Sequence, residues 1–401
     1  MIKITSKTNC CGCGACSQIC QFDAIKMQED EEGFLYPTVD ENKCTECELC
    51  LKICPINNDN PKNYISKCYA AINKDSKIVS LSTSAGMFSI FAEHILKLKG
   101  VVFGGVFDEY FNVKHSYAEN MDDLDKIRRS KYVQSYIGGS YKQAKTFLDN
   151  GRYVLFTGTP CQIAGLKNYL QKGYENLYVL DIICHSVPSP RVWKMFLEQN
   201  FEISKIEKIN FRDKSFGWDK SYLKFYFSDG TVCPLHKKSG KVENLSYYKG
   251  FFSMLYSRPS CHDCKFRGAK KYSDMTMADF WGIKNVIPEM YDTKGVSALT
   301  LNSEKGYEIF KEIKNKIIYK ETNIKYLELY NPCLVKSLSP HPKRQEFFKN
   351  YKTETLNSLI NRLTYKSFFK RYIIYLKMKY RSLIRKYTLI GIINSTICIF
   401  C

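Results

Sequence analysis

The feature that most constrains this chain is a cysteine motif that occurs twice near its amino terminus. The spacing C-x2-C-x2-C-x3-C describes two groups of four, offset by 34 residues: Cys10, Cys13, Cys16 and Cys20, then Cys44, Cys47, Cys50 and Cys54. Each half is too short to bury a core of its own, so the fold depends on the metal that its cysteines bind. The repeat therefore predicts a small metal-dependent module over residues 1–60.

This spacing is typical of chains that bind two [4Fe–4S] clusters. In that pattern the first three cysteines of a motif hold one cluster, and the fourth holds the other. The predicted ligand sets are therefore Cys10, Cys13, Cys16 and Cys54 for one cluster, and Cys44, Cys47, Cys50 and Cys20 for the other. Zinc binding by the C-x2-C pairs is the alternative, but two complete motifs favour iron and sulfur. Cys11 lies out of register, and we expect it not to be a ligand.

Cysteine usage and charge narrow the class of protein further. The 18 cysteines and the lack of an apolar leader predict a cytoplasmic protein with reduced thiols. No run of 18 or more apolar residues occurs, so no membrane-spanning helix is predicted. The net charge of +20 favours anionic ligands such as flavin phosphates. Nucleic-acid binding is not expected, because no zinc-finger, RNP or helix-turn-helix pattern is present.

The charge is unevenly distributed, and it suggests three segments. Residues 1–60 carry five Lys/Arg against ten Asp/Glu, whereas residues 355–401 carry nine Lys/Arg and no acid. From about residue 67, short apolar runs alternate with helical patterns, which is typical of an α/β domain. The predicted fold class is α+β: a ferredoxin-like module (1–60), a mixed α/β flavin-binding domain (67–350) and a basic amphipathic helical tail (355–401). A polar stretch over residues 57–63 is predicted to be a linker.

The elements of the α/β domain can be predicted from these patterns. The predicted strands are Cys68–Ile72, Val101–Phe107, Tyr153–Phe156, Leu177–Ile183, Lys205–Arg212 and Tyr222–Phe227. The predicted helices are Gly86–Leu98, Ser140–Asn150, Cys161–Leu170 and Arg191–Asn200.

Four later cysteines form a further candidate metal site. Cys161 and Cys184 each follow a predicted strand, where sites in α/β proteins usually lie. Cys261 and Cys264 form a C-x2-C pair. Spacing alone leaves two interpretations open: a third cluster, or two core cysteines beside a zinc-binding or unligated pair. The remaining cysteines are interpreted as structural: Cys68, Cys233, Cys333, Cys398 and Cys401.

Hydroxyl-rich turns are the candidates for binding a cofactor phosphate. Ser82, Thr83, Ser84 and Gly86 precede a predicted helix, whose first N–H groups can bind a phosphate. Gly158 and Thr159 occupy a similar place, although such turns usually only cap a helix. His185 is a candidate proton donor, with a purely structural role as the alternative.

Several longer stretches resemble the beta subunit of the coenzyme F420-reducing hydrogenases and dehydrogenases. They are STSAGMFS (82–89), RSKYVQS (129–135), FTGTPCQIAGLK (156–167), CHSVPSP (184–190), FRDKSFGW (211–218), CHDCKFRG (261–268) and SDMTMADFWG (273–282). Chlorophyll(ide) reductases and proteins of bacterial surface-polysaccharide gene clusters look similar. Ala85 and Ser186 depart from the family pattern, which more usually has glycine there.

The resemblance implies an FAD in the α/β domain beside a third [4Fe–4S] cluster. Its ligands would be Cys161, Cys184, Cys261 and Cys264. The residues implied near the flavin are Ser82, Thr83, Ser84, Gly86, Lys131, Thr157, Gly158, Thr159 and Pro160. The resemblance does not transfer the substrate, because relatives use other acceptors.

Three hypotheses about function follow. The first is a flavin-dependent iron–sulfur oxidoreductase that takes electrons from a ferredoxin or a catalytic subunit and acts on a small molecule, such as a deazaflavin or a polysaccharide-pathway intermediate. The second is a non-catalytic electron-relay subunit that docks onto a partner oxidoreductase. The third gives the clusters a structural role only. The basic tail either lies on an anionic membrane surface, at the inner face of the membrane, or packs on the body or a partner.

Overall fold

The computed structural model describes residues 1–235 and 246–365, together with single positions between 372 and 388. Cys398, Cys401 and most of the predicted tail lie outside the described residues. No helix within the described ranges is long and apolar enough to cross a membrane.

The amino-terminal module is built from two short helices and a hairpin. These elements are α1 (Ala15–Ile19), β1 (Ile25–Glu29), β2 (Leu35–Val39) and α2 (Leu49–Lys52). Strands β1 and β2 pair antiparallel. Helix α1 carries Cys16 and α2 carries Cys50, the third cysteine of each motif, and both lie in one small core with Ile2 and Ile25. The sequence repeat is therefore also a structural repeat.

The second part of the chain begins with alternating strands and helices. They are β3 (Asn63–Tyr64), β4 (Lys67–Asn73), α3 (Ser76–Leu81), α4 (Met87–Lys97), β5 (Val101–Phe107), β6 (Val113–Ala118), α5 (Met121–Ile127), α6 (Ser140–Asp149), β7 (Val154–Gly158), α7 (Pro160–Leu170), β8 (Leu177–Ile182) and α8 (Pro190–Asn200). The predicted strands and helices of this region all occur, with shifts of at most two residues at their ends.

The remaining elements add a small meander and further helices. They are β9 (Ile206–Asp213), β10 (Tyr222–Phe227), β11 (Val232–Leu235), α9 (Ser246–Phe252), β12 (Lys270–Lys271), β13 (Met275–Asp279), α10 (Ile283–Val286), β14 (Ser297–Leu301), α11 (Glu304–Ile313), β15 (Ile317–Thr322), α12 (Ile324–Tyr330), α13 (Arg344–Asn350) and α14 (Leu356–Thr364). Strands β9, β10 and β11 form an antiparallel sheet, and the first two correspond to the predicted strands Lys205–Arg212 and Tyr222–Phe227.

One eight-stranded mixed sheet organises the body, in the order β15-β4-β14-β13-β8-β7-β5-β6. Strands β5, β7, β8 and β13 are parallel to one another, and the outer strands pair antiparallel. Helices α6 and α7 cover one face through residues such as Tyr141 and Ile163. Helices α4 and α11 cover the other through Phe91 and Phe310. The loops at the carboxyl ends of the parallel strands are therefore the expected place for a site.

Helix α14 forms part of the core, although it lies within the predicted tail. Its residues Leu356, Leu359, Ile360 and Leu363 are buried in a cluster with α8, α9 and the β9–β11 sheet. The apolar residues of the predicted amphipathic tail therefore pack on the body over the length of α14. The boundaries of the three predicted domains remain predictions.

The predicted linker over residues 57–63 is bound to the body. Asn63 lies in β3, which pairs with β12. The backbone N–H of Asn60 donates to the Tyr272 hydroxyl at 2.6 Å, and Asn168 donates to the carbonyl of Asn58 at 3.1 Å. These bonds hold the module against the body.

Candidate functional site

The two cysteine motifs share one backbone conformation. Gly12 and Gly14 in the first motif have φ of 70° and 69°, and Glu46 and Glu48 at the equivalent places in the second have 55° and 59°. The left-handed region costs a residue with a side chain about 1–2 kcal/mol, so the two glutamates hold an unfavourable conformation. The recurrence of this turn in two different sequences indicates that both wrap around the same kind of group.

The structure brings the first predicted ligand set together. Burial raises the pKa of the Cys16 thiol, and the neighbouring Cys10 and Cys54 raise it further. Cys54 comes from the second motif, so the motifs interleave as the predicted ligand sets require. The second predicted ligand set, called the outer set below, consists of Cys20, Cys44, Cys47 and Cys50, of which Cys47 is exposed. Because buried thiolates are costly, a positive metal centre is the group that this donor set suits.

A third cysteine group lies in the body, next to the module. Cys161 begins α7, Cys184 follows β8, Cys261 lies in a 3₁₀ turn over Pro259–Asp263, and Cys264 follows that turn. Burial raises the pKa of the Cys184 thiol, and Cys261, Cys161 and Cys264 raise it further, in that order. These four residues are called the third cysteine group below.

Within the described ranges, no three His, Cys, Asp or Glu side chains converge on a single-ion site. A cubane cluster holds its cysteines at separate corners, further apart than the ligands of one ion.

Cys11 lies between the module and the third cysteine group. Its buried thiol contacts the thiols of Cys13 and Cys161. The hydrogen bond to Cys13 raises the pKa of Cys11. Helix α7 approaches closely enough here that a Cβ added to Gly165 would lie 2.9 Å from the Cys13 Cβ. The module and α7 are thus in direct contact through their cysteines.

The main cavity, of about 600 Å³, lies at the carboxyl ends of the parallel strands. Its wall includes most of the predicted cofactor residues: Ser82, Thr83, Ser84, Gly86, Lys131, Thr157, Gly158 and Thr159. Pro160 instead lines a smaller cavity of about 190 Å³. Cys184 and His185 also belong to the wall of the main cavity. Its size lies within the range of roughly 300–1,000 Å³ typical of ligand and cofactor sites.

One end of the main cavity is basic. The Lys131 ammonium donates only to the backbone carbonyls of Ile127, Arg128 and Arg129 at 3.2–3.4 Å. Burial, with a smaller contribution from the nearby Arg129, lowers the pKa of Lys131 to about 7. No carboxylate pairs with Lys131 in the part of the chain that the structure describes. A buried amine of this kind suits an anionic group such as a cofactor phosphate.

The loop before α4 faces the same end. Gly86 caps α4 with φ of 82°, which leaves the first N–H groups of an eleven-residue helix at the cavity wall. The Thr83 hydroxyl accepts a hydrogen bond from the Ser130 N–H at 2.9 Å, which ties this loop to the Lys131 loop. The predicted phosphate-binding loop therefore meets the Lys131 loop, and the residues fit the pyrophosphate of a dinucleotide.

Two histidines line the main cavity, and burial makes both weak bases. Burial, with a smaller contribution from Arg267, lowers the pKa of His185 to about 4. Burial likewise lowers the pKa of His115 to about 4. The His115 ring lies between the Ser135 hydroxyl at 2.8 Å and the Thr157 carbonyl at 3.0 Å. His185 is thus neutral near pH 7, and its role as proton donor remains a prediction.

Sequence reasoning missed a charged and aromatic cluster at the wall of the main cavity. Arg212 and Asp279 form a buried ion pair, and the Trp218 indole N–H donates to Asp279 at 2.9 Å. Trp281 stacks on Trp218 with ring centroids 4.7 Å apart. These residues come from FRDKSFGW and MADFWG, stretches noted for their resemblance but not for site residues. The signal was a cluster of charged and aromatic residues in two otherwise separate motifs.

Comparison with known proteins identifies both parts of the chain. Residues 151–326 match the family described as the C terminus of the coenzyme F420 hydrogenase/dehydrogenase beta subunit. This part of the chain is similar to the carboxyl-terminal part of that beta subunit. Residues 9–58 match the 4Fe-4S dicluster domain, which confirms the prediction of two [4Fe–4S] clusters at the amino terminus. The chain is therefore an iron–sulfur protein that is related to an oxidoreductase family.

Two further similarities cover very different lengths of this chain. A 46-residue stretch is 46% identical to one subunit of the Na⁺-translocating ferredoxin:NAD⁺ oxidoreductase complex of Acetobacterium woodii. It covers 12% of this chain and 13% of that subunit, so the match spans only a small part of the curated relative. A solved F420-reducing [NiFe] hydrogenase complex from Methanosarcina barkeri, studied by xenon derivatization, aligns over 75% of this chain and 92% of the matched chain, with 14% identity and a TM-score of 0.44.

Proposed function

We propose that this chain is an iron–sulfur flavoprotein oxidoreductase. Electrons would pass between the cysteine-bound clusters and an FAD in the main cavity, where a small-molecule acceptor is reduced or its reduced form is oxidised. The observation that carries this proposal is the position of Cys184, which belongs both to the wall of the main cavity and to the third cysteine group. A cofactor in that cavity would lie against a cysteine of a candidate cluster.

The cysteines also support a continuous route from the module. Cys11 contacts both Cys13 of the module and Cys161 of the third cysteine group. Arg267 donates to the carbonyls of Cys184 and His185, at 2.9 Å each. These hydrogen bonds hold the backbone that lies between the third cysteine group and the main cavity. The exposed Cys47 lies at the outer end of this route, where a redox partner has access.

Several residues of the main cavity would bind the pyrophosphate of FAD. Lys131, Ser82, Thr83, Ser84 and the N–H groups beyond Gly86 would bind its pyrophosphate. Bound FAD would supply the exchange between single electrons and electron pairs. Two electrons from a reduced ferredoxin-type donor and one proton balance the transfer of one hydride equivalent to the acceptor.

The acceptor is proposed by class only. The family name and the size of the main cavity support a deazaflavin, whose aromatic ring suits the exposed face of Trp281. A polysaccharide-pathway intermediate is the other candidate. Comparing the rates of turnover with each acceptor distinguishes them.

The relay subunit is the second candidate function. The match to part of a ferredoxin:NAD⁺ oxidoreductase complex supports a partner protein. Turnover by the isolated chain with reduced ferredoxin and a small acceptor favours the enzyme. Strict dependence on a second subunit, with FAD still bound, favours the relay.

Iron and flavin content test the proposal directly. Anaerobically reconstituted protein is expected to contain about 12 iron atoms per chain, four for each cluster, and one FAD. Cys184→Ala and Cys264→Ala are each expected to lose about four iron atoms, whereas the matched control Cys333→Ala keeps them. Cys11→Ala is also expected to keep them, because Cys11 is not a predicted ligand. About 8 iron atoms and no flavin absorbance in the wild-type chain would contradict both the third cluster and the FAD.

A further inference from the structure

Arg258 is a fully buried arginine whose guanidinium lies against the first ligand set of the module. Its side chain has 0% exposure. The Nε–H donates to the Cys10 carbonyl at 2.9 Å, one terminal nitrogen donates to the Leu35 carbonyl at 2.9 Å, and the other donates to the Gln134 amide oxygen at 3.0 Å. The nitrogen that reaches Leu35 also lies 3.6 Å from the Cys10 Sγ.

The surroundings of Arg258 provide no compensating acid. The guanidinium lies over the rings of Tyr36 and Phe34, at 4.3 and 5.4 Å from their centroids. No Asp or Glu pairs with it in the described part of the chain. A buried cation is costly unless an anion balances it. The group it faces is Cys10, and a [4Fe–4S] cluster bound by four thiolates carries the negative charge that this arginine lacks.

The backbone places Arg258 between two cysteine sites. Its N–H donates to the Val187 carbonyl, three residues after Cys184, at 2.9 Å. Its carbonyl accepts from the Cys261 N–H at 3.0 Å. The segment that carries two cysteines of the third group therefore also carries the cation that reaches the module.

The same contact distinguishes the two clusters of the module. Among residues 1–235 and 246–365, Arg258 is the one Lys or Arg side chain within hydrogen-bonding distance of a module cysteine sulfur. The outer set has no such neighbour there, and its Cys47 is exposed to water. The two clusters share a backbone geometry but differ in the charge beside them.

We propose that Arg258 raises the reduction potential of the cluster bound by Cys10, Cys13, Cys16 and Cys54 above that of the outer cluster. A positive charge and an N–H···S contact stabilise the more negative, reduced state of a cluster. An electron that enters the module then resides preferentially on the inner cluster, next to Cys11 and Cys161. The inference rests on the dicluster module and needs no FAD.

The test is a redox titration of the reconstituted full chain, followed by electron paramagnetic resonance. In Arg258→Gln, the midpoint of one module cluster is expected to shift to lower potential, while that of the other stays unchanged. At the wild-type midpoint, the reduced-to-oxidised ratio of the affected cluster is expected to fall about tenfold, a typical effect of a hydrogen bond to a charged group. Arg258→Lys keeps the charge, and a smaller shift is expected.

Two further variants separate tuning from packing. Gln134→Glu leaves Arg258 in place but puts a carboxylate on its guanidinium, so it is expected to lower the same midpoint. Arg344→Gln is the matched control: Arg344 binds module residue Glu32 at 2.5 and 2.8 Å, and no cysteine is among its hydrogen-bond partners in residues 1–235 and 246–365. Unchanged midpoints in Arg258→Gln would overturn the proposal. If Arg258→Gln does not retain iron, unchanged midpoints in Gln134→Glu would overturn it, as would an equal shift in Arg344→Gln.

Discussion

Some residues of this chain place a charged group in a buried environment, where a charge is costly. Lys131 is the clearest case, since its ammonium is buried, has only carbonyl partners and lies near Arg129. With a pKa of about 7, it is half protonated at neutral pH when the main cavity holds no anion. An anionic ligand would restore the proton, so binding and protonation are linked.

The affinity of the chain for FAD is therefore expected to depend on pH. From pH 7 to pH 9, the amine must take up a proton to bind the pyrophosphate, so the affinity falls by up to about tenfold per pH unit. Lys131→Met is expected to bind FAD more weakly and with a smaller pH dependence. Some dependence remains, because Lys214, whose pKa burial lowers to about 8, donates to the Ser84 carbonyl. Quenching of FAD fluorescence measures the affinity and its pH dependence.

The exposed Lys126→Met is the matched control, since Lys126 pairs with Asp123 on the surface of α5. It is expected to behave like the wild type. An unchanged pH slope in Lys131→Met would show that another group controls binding.

Sequence reasoning at the residue scale succeeded where the spacing itself dictates chemistry. The dicluster module could be predicted because its cysteine spacing is local, whereas its ligand sets and the role of the Ser82–Gly86 loop stay predictions. Arg258, His115 and Arg212 could not, because their partners lie far away along the chain. Arg258 and Cys10, for example, are separated by 248 residues.

At the scale of elements, α7 is the helix that joins the module to the sheet. It packs on α1 and the inner cysteines through a face where Gly165 leaves room for Cys13. A side chain at this place would push the module away from the third cysteine group.

Gly165→Ala is therefore expected to destabilise the chain by about 1–3 kcal/mol, the usual cost of overpacking. The new Cβ would lie 2.9 Å from the Cys13 Cβ and 3.0 Å from its Sγ. Gly173→Ala is the matched control, because no atom lies within 4 Å of the Cβ it would add. Thermal unfolding of the reconstituted proteins compares the two. Equal midpoints would mean that α7 and the module can move apart without cost.

Helix α14 changes where the tail is best removed. A chain that ends at Lys352 would lose four buried side chains of α14, each worth about 1.5–3 kcal/mol of burial. A chain that ends at Tyr365 keeps them. The chain that ends at Tyr365 is therefore the one that tests the tail without unfolding the body.

The chain ending at Tyr365 is expected to keep the thermal midpoint of the full chain but to lose binding to anionic vesicles. Residues 366–401 carry eight Lys/Arg and no acid, and each basic residue near an anionic surface contributes about 1 kcal/mol. Flotation with anionic and with neutral vesicles measures the difference. Equal flotation of both chains on anionic vesicles would contradict a membrane role for the tail.

The whole molecule separates charge, with an acidic module on a basic body. The segment 1–60 has a net charge of −5 in a chain of +20, and Glu41, Glu46 and Glu48 are exposed near Cys47. This arrangement favours a redox partner with a basic face at the outer cluster.

Electron transfer from the reduced chain to a basic acceptor such as cytochrome c is expected to slow as salt rises. Screening becomes effective when the Debye length falls to about 10 Å, near 0.1 M salt. Glu46→Lys combined with Glu48→Lys is expected to lower the rate at low salt and to change it little at high salt. Glu312→Lys, on α11, is the matched control. Stopped-flow rates that respond equally to both changes would contradict docking at the module.

The order of the sheet shows the limit of sequence reasoning at this scale. The parallel strands β5, β7 and β8 could be predicted from apolar runs that alternate with helices. The antiparallel extension through β14, β4 and β15 could not, because β4 pairs with strands more than 220 residues later. A run of apolar residues identifies a strand but not its neighbour.

The hydrogen bonds of residues 57–63 have a consequence for how the clusters communicate. Since β3 pairs with β12 and Asn60 binds Tyr272, the module is not a tethered carrier that swings between a donor and an acceptor. These contacts hold its cysteines at one separation from Cys161 of α7. The rate of internal electron tunnelling should therefore be independent of solvent viscosity.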